Sequence, residues 1–210
     1  ANARGWNLAD GAELKRLRSS LARTAPGAWE AGPIVDGQRR AGRSVEQRDP
    51  ADLRRVVGRV GWTAREDARD ALDVAHAAWS EWNDTRVDVR AALLERAAER
   101  YEADAPELIA RCIAEAGKTV ADAVAEVREA VDFLRYYAAE ARRLFTAPMV
   151  LPGPTGEHNE LRFNGRGVFV CISPWNFPLA IFTGQIAAAL AAGNTVIAKP
   201  AEQSSLVAAR

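Results

Sequence analysis

The chain has 210 residues, of which 48% are hydrophobic and 27% are charged, a composition typical of a globular protein with a buried core. Its 28 basic residues balance its 28 acidic residues, so no excess of positive charge points to nucleic acid or to an anionic membrane surface as a partner. Two cysteines are too few for a disulfide framework and favour a reducing, cytoplasmic setting, and the N-terminus lacks the basic and apolar segments of a signal peptide.

The chain begins with a segment of mixed polarity and continues with short β elements. Residues 1–32 contain one candidate helix, at 13–22, and we expect a poorly packed leader. Because the chain begins without methionine, we also expect it to continue a longer polypeptide. An Asp-Gly pair within residues 33–38 predicts a β-hairpin with a two-residue turn. Residues 49–52 predict a turn, and residues 56–60 predict a strand.

Four helices are predicted next. The first has Thr63 as its N-cap and Glu66 completing a capping box, and the second covers about residues 87–103. The third begins at Pro106, because proline is favoured in the first turn, and ends at Gly117. The fourth carries apolar side chains at alternating spacings of four and three, which is far more typical of a core face than of a functional site. These side chains are Val120, Val124, Val127, Val131, Leu134 and Ala138.

Two signals of irregular structure follow the helices. Residues 148–156 are rich in Pro and Gly and predict a loop, whereas residues 160–164 predict a weak strand. Gly165 and Gly167 look like the start of a dinucleotide-binding glycine pattern. However, Val170 stands where the third glycine belongs, and the glycines precede the next strand instead of following it. A turn before the strand is therefore the better interpretation.

The last part of the chain predicts a βαβ unit. Residues 168–172 form an apolar run typical of a strand that is buried on both faces. A proline-rich turn at 173–178 leads into an Ala-rich crossover helix at 181–192, and a Gly-Asn stop signal precedes a second strand at 195–198. A serine pair at 204–205 is expected to cap a further helix. The two strands are expected to be parallel, with a right-handed crossover.

The predicted fold class is α/β. A partial Rossmann-like parallel-sheet domain at residues 165–210 is preceded by a helical region with a hairpin at residues 33–164, and by the leader at residues 1–32. Residues 167–198 carry no charge, but prolines and asparagines interrupt them, so we expect no membrane span.

Two polar clusters follow the two predicted strands. They occupy residues 173–176 and 199–202, and parallel neighbouring strands place both at the edge of the sheet where ligands bind. An amide from Asn176, an ammonium from Lys199 and a carboxylate from Glu202 then converge. From spacing alone, a structural role for Asn176, in shaping the turn or capping the helix, is favoured over a contact with a ligand. On the same structural interpretation, Lys199 and Glu202 are solvated turn residues.

These motifs resemble a known family. The string PWNFP at 174–178, followed by AGNTVIAKPAE at 192–202, is similar to the aldehyde dehydrogenase superfamily. The longer string from 167 to 194 resembles the L-glutamate γ-semialdehyde (pyrroline-5-carboxylate) dehydrogenase part of bifunctional proline utilisation A enzymes. The resemblance covers nearly the whole chain. It implies NAD-dependent oxidation of a small aldehyde in proline catabolism, a homo-oligomer joined by an arm that includes residues 148–164, and FAD only in a proline dehydrogenase part outside this chain.

The resemblance also implies roles for single residues. An asparagine at the place of Asn176 donates a hydrogen bond to the substrate oxygen, an interaction that can supply ~3 kcal/mol. Lys199 and Glu202 would hold the adenosine ribose, and the carboxylate would repel a 2′-phosphate and so favour NAD. Glu126 would line the substrate channel. The full expected cofactor set is Ile172, Ser173, Pro174, Trp175, Lys199, Ala201 and Glu202.

No residue of the chain matches the nucleophile of such an enzyme. Cys112 is predicted inside a helix and Cys171 inside a buried strand, where a thiol has a raised pKa. The resemblance places the nucleophilic cysteine and the carboxylate base beyond Arg210, so we expect the chain alone to be inactive. An alternative is a catalytically inactive oligomerisation or scaffold fragment of the same fold. His76 and His158 stand alone, and no metal site is expected.

Overall fold

The structure is a computed structural model that describes residues 2–24 and 29–210. Its helices are α1 (Gly11–Arg23), α2 (Arg65–Asp84), α3 (Val87–Ala103), α4 (Ala105–Ala116), α5 (Val120–Phe145), α6 (Ala180–Ala191) and α7 (Ser205–Ala208). Its strands are β1 (Trp29–Ala31), β2 (Ile34–Val35), β3 (Gln38–Arg39), β4 (Arg43–Asp49), β5 (Asp52–Trp62), β6 (Met149–Leu151), β7 (Asn159–Leu161), β8 (Val168–Ile172) and β9 (Thr195–Lys199). Within the two described ranges, no helix combines the length and the apolar character needed to cross a membrane.

The N-terminal strands form two small sheets. Strands β2 and β3 pair antiparallel around Asp36 and Gly37, whose φ angles of 51° and 69° lie in the left-handed region that a two-residue hairpin turn requires. This confirms the predicted hairpin. The second sheet has the order β1-β5-β4, with β1 parallel and β4 antiparallel to β5. The sequence predicts the middle of β5 but not β4, because β4 carries charged residues instead of an apolar alternation.

Helices α3, α4 and α5 build the main core. The bounds of α3 and the end of α4 at Gly117, with a φ angle of 66°, agree with the sequence prediction. The apolar stripe of α5 is buried, and α5 packs against α3, α4 and α6. Helix α2 starts one residue later than predicted, with Ala64 at the N-cap. Asp67 rather than Glu66 therefore accepts the N–H of the N-cap residue, at 3.4 Å.

The leader packs more closely than expected. Leu17 of α1 is fully buried in the same core, where α1 contacts α4. The backbone N–H of Ala3 donates to Asp132 of α5 at 2.6 Å, and that of Arg4 donates to Glu102 of α3 at 2.9 Å. The prediction of a poorly packed leader is wrong for the described part, because α1 is amphipathic and has an apolar face to bury.

A second hairpin stands between α5 and the final βαβ unit. Strands β6 and β7 pair antiparallel, with Met149 opposite Leu161. The prediction of a loop throughout 148–156 is wrong for β6, whose three apolar residues form a strand between Pro148 and Pro152. All three side chains are exposed, so β6 presents apolar surface outward.

The βαβ unit is formed as predicted, with β8 and β9 parallel. Their register runs from Val168 opposite Thr195 to Ile172 opposite Lys199. Helix α6 lies close to α5, since a Cβ on Gly184 would stand 2.9 Å from Phe133. The prediction that β8 is buried on both faces is wrong for the described chain, because no described element covers its outer residues. Phe169, Val170 and Ile172 are 43%, 57% and 64% exposed, and Cys171 is buried.

The turn after α6 is hydrogen-bonded to the segment before β8, at the amino ends of the two parallel strands. Gly193 has a φ angle of 85° and ends the helix, followed by the buried Asn194. The side-chain oxygen of Asn194 accepts the N–H groups of Arg166 at 2.5 Å and Gly167 at 3.1 Å. The segment before β8 has a bend at Gly167, where φ is 141°, instead of the predicted turn.

Candidate functional site

The two polar clusters meet at the carboxyl ends of β8 and β9. The backbone N–H of Ser173 donates to the carbonyl of Lys199 at 3.1 Å and extends the parallel ladder by one residue. The buried Ser173 hydroxyl donates to the side-chain oxygen of Gln185 on α6 at 3.1 Å, and the side-chain nitrogen of Gln185 donates to the carbonyl of Ile172 at 3.3 Å. The start of the first cluster is thus held to both the neighbouring strand and the crossover helix.

The rest of the first cluster is an exposed turn. Pro174, Trp175, Asn176 and Phe177 are all exposed, Trp175 to 59%. No described residue forms a hydrogen bond with the Asn176 side chain. Asn176 is also not the helix cap that spacing alone favoured, because the N-cap of α6 is Leu179 and another side chain takes the first N–H groups of the helix. The amide of Asn176 is therefore available to a ligand at this edge.

An ion pair with a buried carboxylate contacts the residues of this turn. Oε2 of Glu126 accepts the N–H groups of Leu179 at 3.2 Å and Ala180 at 2.9 Å, at the start of α6. Its other oxygen lies 2.8 Å from the Lys118 ammonium, which is also 4.6 Å from the ring centroid of Phe177. Glu126 is only 2% exposed. The structure thus places it against the backbone of the turn, and a contact with substrate stays a prediction.

The second cluster faces solvent. The Lys199 ammonium and the Glu202 carboxylate are 3.7 Å apart, with side chains about half exposed, at 49% and 57%. So long a separation leaves donors and acceptors of both groups free for hydroxyls. The backbone carbonyl of Glu202 accepts a hydrogen bond of 2.8 Å from Gln47 of β4, and Ala201 is buried. Gln47 therefore joins the small N-terminal sheet to this half of the site.

The helix after the second cluster is held by another buried carboxylate. Glu115 of α4 accepts the N–H groups of Leu206 at 2.8 Å and Val207 at 2.7 Å. Burial raises the pKa of the Glu115 carboxyl to about 7, although these two N–H groups and the Arg111 guanidinium offset part of the effect. Ser204 precedes α7 but makes no side-chain cap hydrogen bond. Ser204 thus stands at the predicted N-cap position, but the predicted side-chain cap is absent, because Glu115 already satisfies the helix start.

The sequence interpretation missed Lys118 and Glu115, and it assigned Glu126 a different contact. One signal was present: Glu126 lies between Val124 and Val127 on the apolar stripe of α5, where a carboxylate needs a buried partner. Its partners lie 53 and 54 residues away, so the sequence could not identify them.

Neither cysteine lies in a reactive environment. Cys112 is fully buried within α4, and burial raises the pKa of its thiol well above the usual range. Cys171 is buried within β8, and burial raises the pKa of its thiol as well. Over residues 2–24 and 29–210, no group of His, Cys, Asp and Glu side chains has the arrangement of a metal site.

Comparison with known proteins identifies the family of this chain. Residues 36–210 match the model of the aldehyde dehydrogenase family. The chain is 45% identical over 210 residues to the bifunctional protein PutA of Klebsiella aerogenes, covering 100% of this chain and 15% of that protein. It is 35% identical over 206 residues to 1-pyrroline-5-carboxylate dehydrogenase 2 of Bacillus subtilis, covering 97% of this chain and 40% of that protein.

Solved structures show the same fold. A 1-pyrroline-5-carboxylate dehydrogenase from Thermus with bound NAD superposes with a TM-score of 0.90 at 34% identity, over 100% of this chain and 41% of that one. PutA from Bdellovibrio bacteriovorus superposes with a TM-score of 0.92 at 34% identity, over 99% of this chain and 22% of that one. The chain spans less than half the length of each of these relatives. The predicted α/β fold class and the resemblance are confirmed, and the chain belongs to the aldehyde dehydrogenase family.

Proposed function

We propose that this chain supplies part of the active site of an NAD-dependent dehydrogenase that oxidises L-glutamate γ-semialdehyde to L-glutamate in proline catabolism. The observation that carries this proposal is the exposed Asn176 amide, which has no hydrogen-bond partner among the described residues and stands on a turn at the carboxyl end of β8. Relatives named PutA and 1-pyrroline-5-carboxylate dehydrogenase support the substrate.

Asn176 would act as a hydrogen-bond donor to the aldehyde oxygen. When a nucleophile adds to an aldehyde, negative charge develops on that oxygen, and a donor held in place stabilises the charge without having to reorganise. The nucleophilic cysteine and the general base would come from outside these 210 residues, because Cys112 and Cys171 are buried.

The second cluster fits the ribose of a nicotinamide cofactor. Lys199 and Glu202 face solvent with unused hydrogen-bonding capacity, and the carboxylate can accept from two neighbouring hydroxyls. The same carboxylate would repel a 2′-phosphate, which favours NAD over NADP. The exposed side chains of Ile172, Pro174 and Trp175 would wall the nicotinamide pocket, and Ser173 and Ala201 are buried behind it. When bound, NAD would accept the hydride from the substrate. Any FAD would bind outside this chain.

The exposed apolar strand β6 supports the assembly that the family resemblance implies. Met149, Val150 and Leu151 are 47%, 66% and 40% exposed, and Leu161 on the paired strand is 39% exposed. Such a surface is favourable to bury against another chain. We propose that this hairpin joins subunits of a homo-oligomer, and that the enzyme works in the cytoplasm, where Cys112 and Cys171 would stay reduced.

The test uses the protein expressed from its complete gene. We expect Asn176→Ala to lower kcat with glutamate semialdehyde by about a hundredfold or more, which is the usual loss for a donor of this kind. The affinity for NAD should stay within about twofold, because the ribose half of the site is intact. Asn164→Ala is the matched control, since Asn164 is also exposed and precedes the opposite end of β8. A normal kcat in Asn176→Ala would mean that Asn176 only shapes the turn.

A further inference from the structure

The turn that carries Asn176 is fixed from outside its own sequence. Helix α6 begins at Ala180 without a side-chain cap from the turn, and its N-cap is Leu179. A helix start leaves N–H groups without partners, and most starts use a local Ser, Thr, Asp or Asn to satisfy them. Here the acceptor is Glu126, which comes from the second turn of α5, 53 residues earlier than Leu179. The position of the helix start therefore depends on a carboxylate of a different helix, α5.

Glu126 and Lys118 both contact the chain directly after Asn176. Glu126 holds the N–H groups of Leu179 and Ala180, while the Lys118 ammonium lies over the ring of Phe177. A cation over an aromatic face is attracted to it, and a carboxylate at a helix N-terminus is favoured by the helix dipole. Asn176 is the residue directly before Phe177, so both contacts restrain the backbone that aims its amide.

The pair is balanced in charge, with the Glu126 carboxylate buried and Lys118 partly exposed. The side chains of Glu126 and Lys118 are 1% and 17% exposed, and their charged atoms are 2.8 Å apart. Removing one partner of such a pair leaves a buried charge without compensation, whereas neutralising both removes that penalty. This difference allows the pair to be tested as a unit.

We propose that Glu126, balanced by Lys118, is a positioning residue that sets the location of the Asn176 amide. The inference rests on the proposed role of Asn176 as the donor to the aldehyde oxygen. It assigns Glu126 an action through the turn backbone in place of direct contact with substrate. Catalytic groups need placement to within a fraction of an ångström, and a misplacement of about 1 Å can cost about a hundredfold in rate. A partial loosening of the turn should therefore appear in kcat.

The experiment uses the protein expressed from its complete gene. We expect Glu126→Gln and Lys118→Met each to lower kcat by about tenfold or more, with the dissociation constant for NAD changed by less than about twofold. The double variant should recover part of the loss, because its two neutral side chains leave no unpaired buried charge. Lys118→Arg keeps the charge and should stay closest to the unmodified protein. Glu95→Gln is the control, since it removes a surface pair with Arg142 far from the turn and should leave kcat within about twofold.

Epistasis with Asn176 separates positioning from general stabilisation. In an Asn176→Ala background, Glu126→Gln should change kcat by less than about twofold, because the amide that it positions is gone. The same loss of kcat in both backgrounds, or a normal kcat in Glu126→Gln, would overturn the proposal. If Glu126→Gln fails to fold, the less buried Lys118→Met carries the same comparison. A normal kcat in the single variant Asn176→Ala would instead contradict the proposed function, on which this inference rests.

Discussion

The ionisation of Glu115 should make the start of α7 sensitive to pH. Its carboxyl is 4% exposed and accepts two backbone N–H groups, at 2.8 and 2.7 Å. Burial outweighs these hydrogen bonds and raises the pKa from 4.5 to about 7. Because the folded protein then binds this proton more tightly than the unfolded chain does, the contribution of Glu115 to stability is complete below about pH 4.5. It is lost as the pH rises through about 7.

The size of the effect follows from the shift in pKa. One pKa unit corresponds to about 1.4 kcal/mol, so the shift from 4.5 to about 7 corresponds to about 3 kcal/mol over the whole range. Between pH 5 and pH 8 the contribution should fall by about 2 to 3 kcal/mol, or on the order of a hundredfold in an equilibrium constant. Arg111 is the charged neighbour that limits the shift, and its guanidinium donates to the Leu206 carbonyl at 2.7 Å.

Hydrogen exchange at the start of α7 measures this contribution locally. The amides of Leu206 and Val207 bond to Glu115, so their protection reports the opening that breaks those bonds. Dividing the protection of the native protein by that of Glu115→Gln at each pH cancels the intrinsic pH dependence of exchange. We expect this ratio to fall by on the order of a hundredfold from pH 5 to pH 8.

A neighbouring carboxylate provides the control. Glu107 lies two turns earlier on α4. Burial acts to raise the pKa of Glu107, but the guanidinium groups of Arg111 and Arg210 outweigh burial and hold this pKa below its usual value. The protection ratio for Glu107→Gln should therefore stay constant between pH 5 and pH 8. A constant ratio for Glu115→Gln as well would refute the reasoning, because it would mean that Glu115 keeps one charge state throughout this range.

Three further predictions follow from the exposed edge of the βαβ unit and from the buried thiols. Glu202→Gln in the complete protein should narrow the preference for NAD over NADP, measured as the ratio of the two kcat/KM values, and equal use of both cofactors by the native enzyme would contradict the assignment. The 210-residue chain alone should show no oxidation of glutamate semialdehyde with NAD, and turnover that is lost in Cys112→Ser or Cys171→Ser would contradict this. The same chain should self-associate in sedimentation experiments, because Val170 and Ile172 leave an apolar sheet face uncovered, and a monomer at every concentration would show that the face is tolerated in water.

Local patterns in the sequence were enough to predict most elements. The alternation along α5, the end of α4 at Gly117 and the Asp-Gly turn each depend on residues close together in the chain, and each is found where it was predicted. The same holds for the order strand, turn, helix and strand from 168 to 199. Because parallel strands end at one edge, this order also predicted that Ser173 and Lys199, which begin the two polar clusters, would lie side by side.

Contacts between distant segments required the tertiary structure. The sequence could not show that Glu126 and Glu115 satisfy the starts of α6 and α7, because a carboxylate that accepts from a backbone 53 or 91 residues away leaves no periodic pattern. The burial of Leu17 and the pairing of β1 with β5 are contacts of the same kind. The sequence by itself therefore determined most of the elements and that the two polar clusters begin at one edge of the sheet. Only the tertiary structure decided which charged groups hold that edge in place, because hydrogen bonds between layers depend on how the helices pack.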